Sequence, residues 1–271
     1  MSLRIAVFGD VHGKQNLMYR TAEDWQERNN KSIDLVLQVG DFETITKDAD
    51  LAQYYAPTKY HHISEIAEYC KGLQKAPFFT AFIGGNHEAW GVLQKHNDGG
   101  FICPRVYYMG RSNVININGV RIGGLTGVFG RKHYHKPLPT EPSYDWKFYR
   151  EEHVKKLEEK IKEHKGIDIL MVHDWVKPFS AINVQEESDI PQSFKQSGVV
   201  TPTYTLVEKY QPSFVFMGHM HKARVSGNIN KTSIHGLREF QGHGEKYSFK
   251  VVECEPQKGV ALTTSSNIST S

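Results

Sequence analysis

Short apolar runs recur along the chain, and each of them ends at a group of metal-binding residue types. The runs span residues 3–8, 35–39, 78–83, 167–172 and 214–217. They are too short for typical helices and are bounded by Gly, Asp or His, as buried strands of an α/β sheet often are. The motifs that follow them are Asp10-Val-His12, Gly40-Asp41, Gly85-Asn86-His87-Glu88, His173 and Gly218-His219-Met-His221. The sequence therefore predicts an α/β fold whose strand ends carry one functional site.

The segments between these runs predict two helices and a hairpin. Apolar residues recur at helical spacing over residues 63–73 and again over 154–161, with charged residues on the other faces. Residues 114–122 alternate around Asn118-Gly119, a dipeptide that favours a two-residue β-hairpin turn.

The C-terminal part predicts β-structure and then a tail. After His221 the pattern is that of strands, which we expect at 247–252 and 260–263. The residues at 264–271 are mostly Ser, Thr and Asn and predict a disordered tail. Because no repeat or long linker interrupts the chain, we expect a single domain over 1–263.

Composition indicates an ordinary soluble protein. The 271 residues are enough for one large domain. The net charge of +3 is too small to indicate binding to nucleic acid or to a membrane. Three widely spaced cysteines make no disulfide framework and fit a reducing compartment. Without a membrane-spanning run or room for a secretory signal before Leu3, we expect an intracellular protein, cytoplasmic or nuclear. The sequence indicates no protein partner.

The motifs together supply ligands for two divalent cations. Such ions take oxygen and imidazole ligands, and strand ends hold loop side chains at the carboxyl edge of a sheet. We expect Asp10, His12 and His221 to bind one metal ion and Asn86, His173 and His219 to bind the other, with Asp41 bridging the two. This set suits Mn²⁺, Fe²⁺ and Zn²⁺ alike. A single motif of this kind means little, and the prediction depends on all five occurring at strand ends.

Such a site predicts metal-assisted hydrolysis of a phosphoester. Two cations roughly 3.5–4 Å apart lower the pKa of a bridging water, orient the phosphorus and neutralise its oxygens. His87, next to Asn86, is then placed to donate a proton to the departing oxygen. Glu88 is not expected to bind metal itself but to orient His87 or one of the ligands by a hydrogen bond.

Three further residues near the motifs have competing interpretations. Asp174, beside His173, is a candidate for positioning a ligand. Trp175 could stack on a base, but packing against the sheet explains it at least as well. His235 lies in the β-rich C-terminal part, and a hydrogen-bonded structural histidine is the favoured interpretation over a residue of the crevice.

The ordered motifs resemble those of the calcineurin-like metallophosphoesterase superfamily. That resemblance implies a four-layer β-sandwich flanked by helices, with a dinuclear metal site at the carboxyl edge of the strands. Longer segments are similar to the RNA lariat debranching enzymes, and the likeness runs through most of residues 3–222. These segments include Gly40-Asp-Phe-Glu, Phe82-Ile-Gly-Gly-Asn-His-Glu-Ala, Val106-Tyr-Tyr-Met-Gly, Gly119-Val-Arg-Ile-Gly-Gly-Leu-Thr-Gly and His173-Asp-Trp. The resemblance implies a phosphodiesterase, with RNA among the substrates to consider.

The sequence departs from the debranching enzymes in several places, which suggests a paralogue. Those enzymes usually carry Cys at the position of Asp10 and tend to have Ala at that of Gly218. They also have a sizeable C-terminal region, whereas this sequence has 50 residues after His221.

The loop that debranching enzymes use on the lariat corresponds to residues 127–153, and its later part differs here. Its basic and aromatic residues could clamp phosphates and stack a base, or form an ordinary solvated loop. The candidate substrate residues in it are Arg131, Lys132, His133 and Tyr134.

Two other functions remain open. In phosphatases of the protein-phosphatase type, Gly-Asp is followed by x-x-Asp-Arg. Here Thr44 and Ile45 stand at the positions of that Asp and Arg, which argues against such a phosphatase. Small-molecule diesters such as cyclic nucleotides remain the stronger enzymatic alternative. A non-catalytic metal-binding scaffold is the other alternative. Degenerate members of the superfamily often lose ligands or the acid histidine, whereas all seven ligands and His87 are present here.

Overall fold

Two β-sheets pack face to face in the computed structural model, which describes residues 2–56, 58–240 and 247–256. The strands are β1 Leu3–Phe8, β2 Leu35–Val39, β3 Thr80–Ile83, β4 Gly100–Cys103, β5 Val106–Tyr108, β6 Ser112–Ile117, β7 Val120–Leu125, β8 Ile169–Val172, β9 Asn183–Ser188, β10 Phe214–Met217, β11 Arg224–Ile229, β12 Thr232–Gly236 and β13 Phe249–Cys254. The α-helices are α1 Gln15–Asn29, α2 Ile66–Cys70, α3 Trp90–Leu93, α4 Glu151–Glu163, α5 Gln192–Lys195 and α6 Pro202–Tyr210.

The first sheet has the order β13-β1-β2-β3-β5-β4, and the second has the order β6-β7-β8-β10-β12-β11-β9. In the first sheet β1, β2, β3 and β5 run parallel, with antiparallel strands at both edges. In the second, β7, β8, β10 and β12 run parallel. Each sheet therefore brings the carboxyl ends of its central strands to one edge.

The central strands are mostly apolar because both of their faces are covered. In β1, Ile5 and Val7 point into the core between the sheets. The alternate residues Ala6 and Phe8 pack with Met18 of α1 on the outer side. Burying a side chain of this size is worth about 1.5–3 kcal/mol, so a one-residue slip in register would be strongly disfavoured.

The second sheet is built in the same way. Ile169 and Met171 of β8 face the first sheet, whereas Leu170 and Val172 pack with Leu157 of α4. Helix, sheet, sheet and helix thus form four layers, and the predicted four-layer α/β sandwich is confirmed.

Most of the predicted elements are present, with shifted ends. β1, β2 and β10 have the expected bounds, while β3 and β8 each begin two residues later than expected. The hairpin β6–β7 turns at Asn118 and Gly119, which have φ values of 49° and 92°. This left-handed pair is the turn that the dipeptide predicts.

The helix expected over 63–73 is much shorter than predicted. α2 covers only Ile66–Cys70, and Leu73 is 74% exposed. Gly72, with a φ of 73°, ends the helix, because a left-handed residue stops the α-helical ladder. The second predicted helix is α4, which starts earlier than its first apolar position, at Glu151.

The part that follows His221 contains strands, as expected. β13 spans Phe249–Cys254, two residues later than the predicted strand at 247–252. The strand expected at 260–263 and the tail at 264–271 lie outside the described residues. Among the helices in the described ranges, none has the length and apolarity needed to cross a membrane.

Candidate metal centre

The predicted ligands come together at the shared carboxyl edge of the two sheets. Asp10, Asp41 and Asn86 follow β1, β2 and β3 of the first sheet. His173 and His219 follow β8 and β10 of the second sheet. The site is therefore assembled from both halves of the sandwich.

Four of the predicted ligands form one compact group. The ligand atoms of Asp10, His12, Asp41 and His221 all lie within 4.8 Å of one another. The Nε2 atoms of His12 and His221 are 3.3 Å apart, and His221 Nε2 lies 3.4 Å from Oδ2 of Asp10. This spacing suits atoms that share one cation.

The remaining ligands form a second group beside the first. Asn86 Oδ1 lies 3.0 Å from Nε2 of His173 and 2.7 Å from Nδ1 of His219. Oδ2 of Asp41 is 3.5 Å from His173 Nε2 and 3.9 Å from His12 Nε2. The Asp41 carboxylate thus stands between the two groups, at the place where a bridging ligand would be needed.

The chemistry of the donor set fits cations. Asp41 is fully buried, and its Oδ2 accepts no hydrogen bond from the residues that the structure describes. Its other oxygen accepts the backbone N–H of His87 at 2.7 Å. A buried carboxylate oxygen without a donor is costly unless a cation compensates it.

Acceptors on the outer side of two imidazoles fix which nitrogen faces the centre. The Nδ1–H of His12 donates to Oε1 of Glu43 at 2.8 Å, and that of His173 donates to the carbonyl of Val39 at 2.8 Å. Nε2 is therefore the nitrogen of each ring that faces the centre, where it can bind a metal ion once its proton is displaced.

Sequence reasoning assigns no role to three residues that surround these ligands. Glu43 also accepts the hydroxyl of Tyr54 at 2.6 Å, and Glu239 lies 3.4 Å from Nδ1 of His221. The position of Glu43, two residues after Asp41, is a usable signal. Tyr54 and Glu239 reach the site from separate loops and leave no local pattern.

The backbone around the centre is strained. Five residues other than glycine have left-handed φ values: His12 (44°), Asp41 (55°), Glu43 (61°), His219 (71°) and His221 (35°). Each such residue costs of order 1–3 kcal/mol and persists only where surrounding contacts hold it. Their concentration here marks this edge as the functional one.

Two motif glycines are required by close approach of the ligands. A Cβ on Gly40, whose φ is 100°, would lie 2.3 Å from His173 Nδ1. A Cβ on Gly85 would lie 2.1 Å from Oδ1 of Asp41. Side chains at either position would displace a ligand.

The centre has a strongly negative potential. Burial disfavours the charged form of His12, but the hydrogen bond to Glu43 and the nearby Asp41 outweigh it and raise the pKa of His12 to about 10. In the same way, Asp41 and Asp10 overcome burial and raise the pKa of His173 to about 9. An environment that holds protons this firmly is one that favours cations.

His87 lies at the mouth of the centre, half-buried. Its ring centroid is 6.0 Å from that of His12 and 6.4 Å from that of Tyr54. Burial lowers the pKa of His87. Its ring is thus outside the two ligand groups but close enough to reach a molecule bound between them.

Glu88 holds the backbone of the site. Its carboxylate accepts the N–H groups of Phe42 and Glu43 at 2.9 Å and that of Gly85 at 3.0 Å. Burial raises the pKa of Glu88 to about 8. Its expected role is to orient His87 or a ligand side chain, but within the described ranges its hydrogen bonds go to main-chain groups, because its side chain points back under the loop after β2.

Asp174 connects the turn after β8 to the long loop at 127–150. Its two oxygens accept the N–H groups of Phe129 at 3.0 Å and of Trp175 at 2.9 Å. Trp175 is fully buried, and its indole N–H donates to the carbonyl of Gly218 at 2.7 Å. Trp175 therefore packs against the sheet and is closed to a base.

His235 is a structural residue. It is 5% exposed, and its ring nitrogens lie 3.2 Å from the hydroxyl of Ser226 and 3.0 Å from that of Ser233. The favoured interpretation of this histidine is confirmed.

The candidate substrate residues lie on the 127–150 loop. Arg131 and Lys132 are exposed. The ring of His133 stacks on Phe148, with centroids 4.2 Å apart, and Tyr134 packs against Phe129. Arg131 and Tyr134 line a cleft of about 460 Å³. The structure thus presents two of these residues to solvent and uses the other two partly in packing.

Comparison with known proteins identifies relatives. Residues 3–223 match the family profile described as calcineurin-like phosphoesterase. The chain is 36% identical over 228 residues to the lariat debranching enzyme of Gallus gallus and 35% identical to that of Homo sapiens. It is 33% identical over 224 residues to the lariat debranching enzyme of Entamoeba histolytica.

These matches cover about four fifths of this chain but a smaller share of the relatives. The chain spans 42% of the length of the two vertebrate enzymes and 63% of that of the amoebal enzyme. Among solved structures, the TT1561 protein of Thermus thermophilus is similar, with a TM-score of 0.57 and 13% identity, covering 93% of this chain and 98% of the other. That similarity shows a shared fold. The profile match over residues 3–223 confirms the predicted resemblance to the superfamily.

Proposed function

Because the chain belongs to the calcineurin-like phosphoesterase family and is a hydrolytic phosphoesterase, we propose that it is a metal-dependent phosphodiesterase acting on RNA. The observation that carries the proposal is the position of Oδ2 of Asp41, buried without a hydrogen-bond donor between two groups of ligands. That arrangement is what a pair of divalent cations sharing one carboxylate requires.

The metal ligands are proposed as the sequence predicts them. One ion would be held by Asp10, His12 and His221 and the other by Asn86, His173 and His219, and Asp41 would serve both. When bound, two such ions, whether Mn²⁺, Fe²⁺ or Zn²⁺, supply Lewis-acid neutralisation of the phosphate and a water of lowered pKa.

The surrounding residues prepare the ligands and assist the leaving group. Glu43 keeps the Nδ1 proton on His12, so that Nε2 faces the centre. His87 protonates the oxygen that leaves phosphorus as the P–O bond breaks. Burial lowers the pKa of His87, so the protonated ring is a stronger acid, while a smaller fraction of the rings is protonated at neutral pH.

RNA is proposed as the substrate on two observations. The relatives that match are named lariat debranching enzymes, and the 127–150 loop starts at Gly127, whose N–H donates to the carbonyl of Gly84 next to the ligand loop. Arg131 and Lys132 on that loop would contact phosphates, while Tyr134 and His133 offer ring faces to a base. Such a substrate places the protein in the nucleus or cytoplasm.

The test compares three substrates with metal-reconstituted protein. These are a synthetic 2′,5′-branched RNA, a linear RNA of the same sequence and an aryl phosphodiester. We expect cleavage of the branched RNA at the branch and loss of activity with a chelator. Hydrolysis of the aryl diester alone would refute RNA as the substrate but keep the phosphodiesterase, and no hydrolysis of any diester would refute both.

Histidine variants test the role of His87. His87→Ala should lower the rate by about 10²–10⁴ without lowering metal content. His164→Ala is the matched control, because His164 ends α4 on the side that leads into β8, at the opposite edge of the sheet. Equal activity of the two variants would contradict the assignment.

A further inference from the structure

Gly218, which directly follows β10, has no room for a side chain. A Cβ on Gly218 would lie 2.2 Å from Oδ1 of Asp10, although real Cβ atoms essentially never approach another atom within 3.0 Å. Its φ lies outside the left-handed region, so an L-residue could adopt this backbone. The glycine is therefore needed for space and not for conformational freedom.

Asp10 cannot move aside to make that space. Its side chain is fully buried, and its two oxygens accept the same backbone N–H, that of His219, at 3.0 and 2.9 Å. The added Cβ would also lie 3.2 Å from His173 Nδ1 and 3.2 Å from the carbonyl of Val39. These two atoms hydrogen-bond to each other, so neither yields without disturbing another ligand.

We propose that Gly218 is a positioning residue for the metal centre, and that positions 10 and 218 are coupled. A carboxylate at position 10 requires glycine at position 218, whereas a side chain that ends one atom earlier, such as Cys, tolerates alanine there. The role of Asp10 as a ligand in this inference rests on the proposed function, but the steric contact does not.

The contact also joins two features of the sequence. Asp10 and Gly218 are two of the positions at which the sequence departs from the debranching enzymes that it resembles, and a Cβ on Gly218 would lie 2.2 Å from Oδ1 of Asp10. The two differences are therefore linked, because the longer side chain of Asp10 at the end of one strand requires the smaller residue Gly218 at the end of another.

A double-mutant cycle tests the coupling. The proteins are the unmodified chain, Gly218→Ala, Asp10→Cys and the double variant, with Gly198→Ala as the control, because a Cβ on Gly198 meets nothing within 4 Å. The two readouts are the melting temperature in the presence of a chelator and the Mn²⁺ dissociation constant.

We expect Gly218→Ala to lower the melting temperature by several degrees and to weaken Mn²⁺ binding about 10- to 100-fold. In the Asp10→Cys background the same substitution should cost clearly less, and what remains should come from the two 3.2 Å contacts with His173 and Val39. An equal loss in both backgrounds would overturn the coupling and assign the clash to the backbone and His173.

Solubility and metal binding distinguish a folding defect and a failure of the proposed function from a failure of the coupling between positions 10 and 218. If Gly218→Ala is insoluble, recovery of soluble protein in the double variant supports the coupling, and insolubility of both refutes it. If the unmodified chain binds no metal, the proposed function fails, whereas the melting temperatures in chelator still decide the steric inference.

Discussion

Replacing Glu43 should weaken metal binding through His12. The carboxylate of Glu43 is 1% exposed and accepts hydrogen bonds from Nδ1 of His12 at 2.8 Å and from the hydroxyl of Tyr54 at 2.6 Å. Glu43→Gln keeps an oxygen acceptor for both donors but removes the charge. Glu43→Ala removes both, and the His12 ring is then free to rotate or to change tautomer.

The expected magnitudes follow from the strength of the bond to His12. A hydrogen bond to a charged group contributes about 1.5–3 kcal/mol, and a neutral one about 1 kcal/mol. Glu43→Gln should thus cost about 0.5–2 kcal/mol of binding free energy, or roughly 2- to 30-fold in the dissociation constant. Glu43→Ala should reach about 10- to 100-fold, the usual loss for a residue that orients a metal ligand.

The assay is calorimetric titration of the metal-free protein with Mn²⁺, with activity at saturating Mn²⁺ measured in parallel. Glu239→Gln is the matched comparison, because Glu239 lies farther from its histidine, at 3.4 Å, and its side chain is 21% exposed. Its effect should be the smaller of the two. If both Glu43 variants bind Mn²⁺ as tightly as the unmodified chain, His12 does not bind through Nε2, and the proposed ligand geometry is wrong.

Three further predictions concern the ligands and the buried ionisable groups. Asp41→Asn should abolish hydrolysis and weaken metal binding roughly 100-fold or more, which is more than the loss expected for a residue that only orients a ligand. The circular dichroism spectrum should stay native, and a normal metal content would contradict the bridging role. Burial, with a smaller effect of Lys250, lowers the pKa of His235 to about 3 from 6.5, so the stability that its neutral ring contributes is complete above pH 6.5 and is lost as the pH falls toward 3. Urea denaturation should show about 1.4 kcal/mol of this loss at pH 5.5, and His235→Gln should remove that part of the pH dependence. Arg121→Ala should cost about 3–5 kcal/mol in urea denaturation, because it removes the guanidinium that lies 2.7 Å from the fully buried carboxylate of Asp168. A loss below 1 kcal/mol would contradict this.

The sequence predicts which residues meet at the site, because their positions depend on strand ends. Asp10, Asp41 and His173 each follow a short apolar run, and parallel strands bring their carboxyl ends to one edge. No long-range information is needed to place such residues together. The same apolar runs predict buried strands, whereas the two-sheet sandwich is an expectation from the resemblance to the superfamily.

The outer contacts of the site are less predictable because they come from loops. Tyr54 reaches Glu43 after a short 3₁₀ helix at Asp48–Gln53, whose course no periodic pattern specifies. Adjacency alone assigns Glu88 to its neighbour His87, whereas its side chain turns to the main chain of Phe42. Hydrogen-bond direction depends on side-chain rotamers, which a one-dimensional pattern does not contain.

Helix ends are also predicted poorly, for a physical reason. The spacing of apolar residues over 63–73 continues past the point where Gly72 turns the backbone left-handed. Periodicity records which residues could share a face, but the turn decides where the helix stops. Leu73 therefore fits the pattern and still lies exposed.

The ligand set is divided between the two sheets, with Asp10 and Asp41 on one and His173 and His219 on the other. A centre divided in this way can form only after one sheet has docked on the other in the correct alignment. A small slide at their interface, for example after repacking Ile122 in the shared core, would separate the two halves of the set while each sheet stayed intact. If these residues bind metal as proposed, metal uptake would report how the sheets are aligned, and a variant altered far from the edge would lose metal binding without losing its fold.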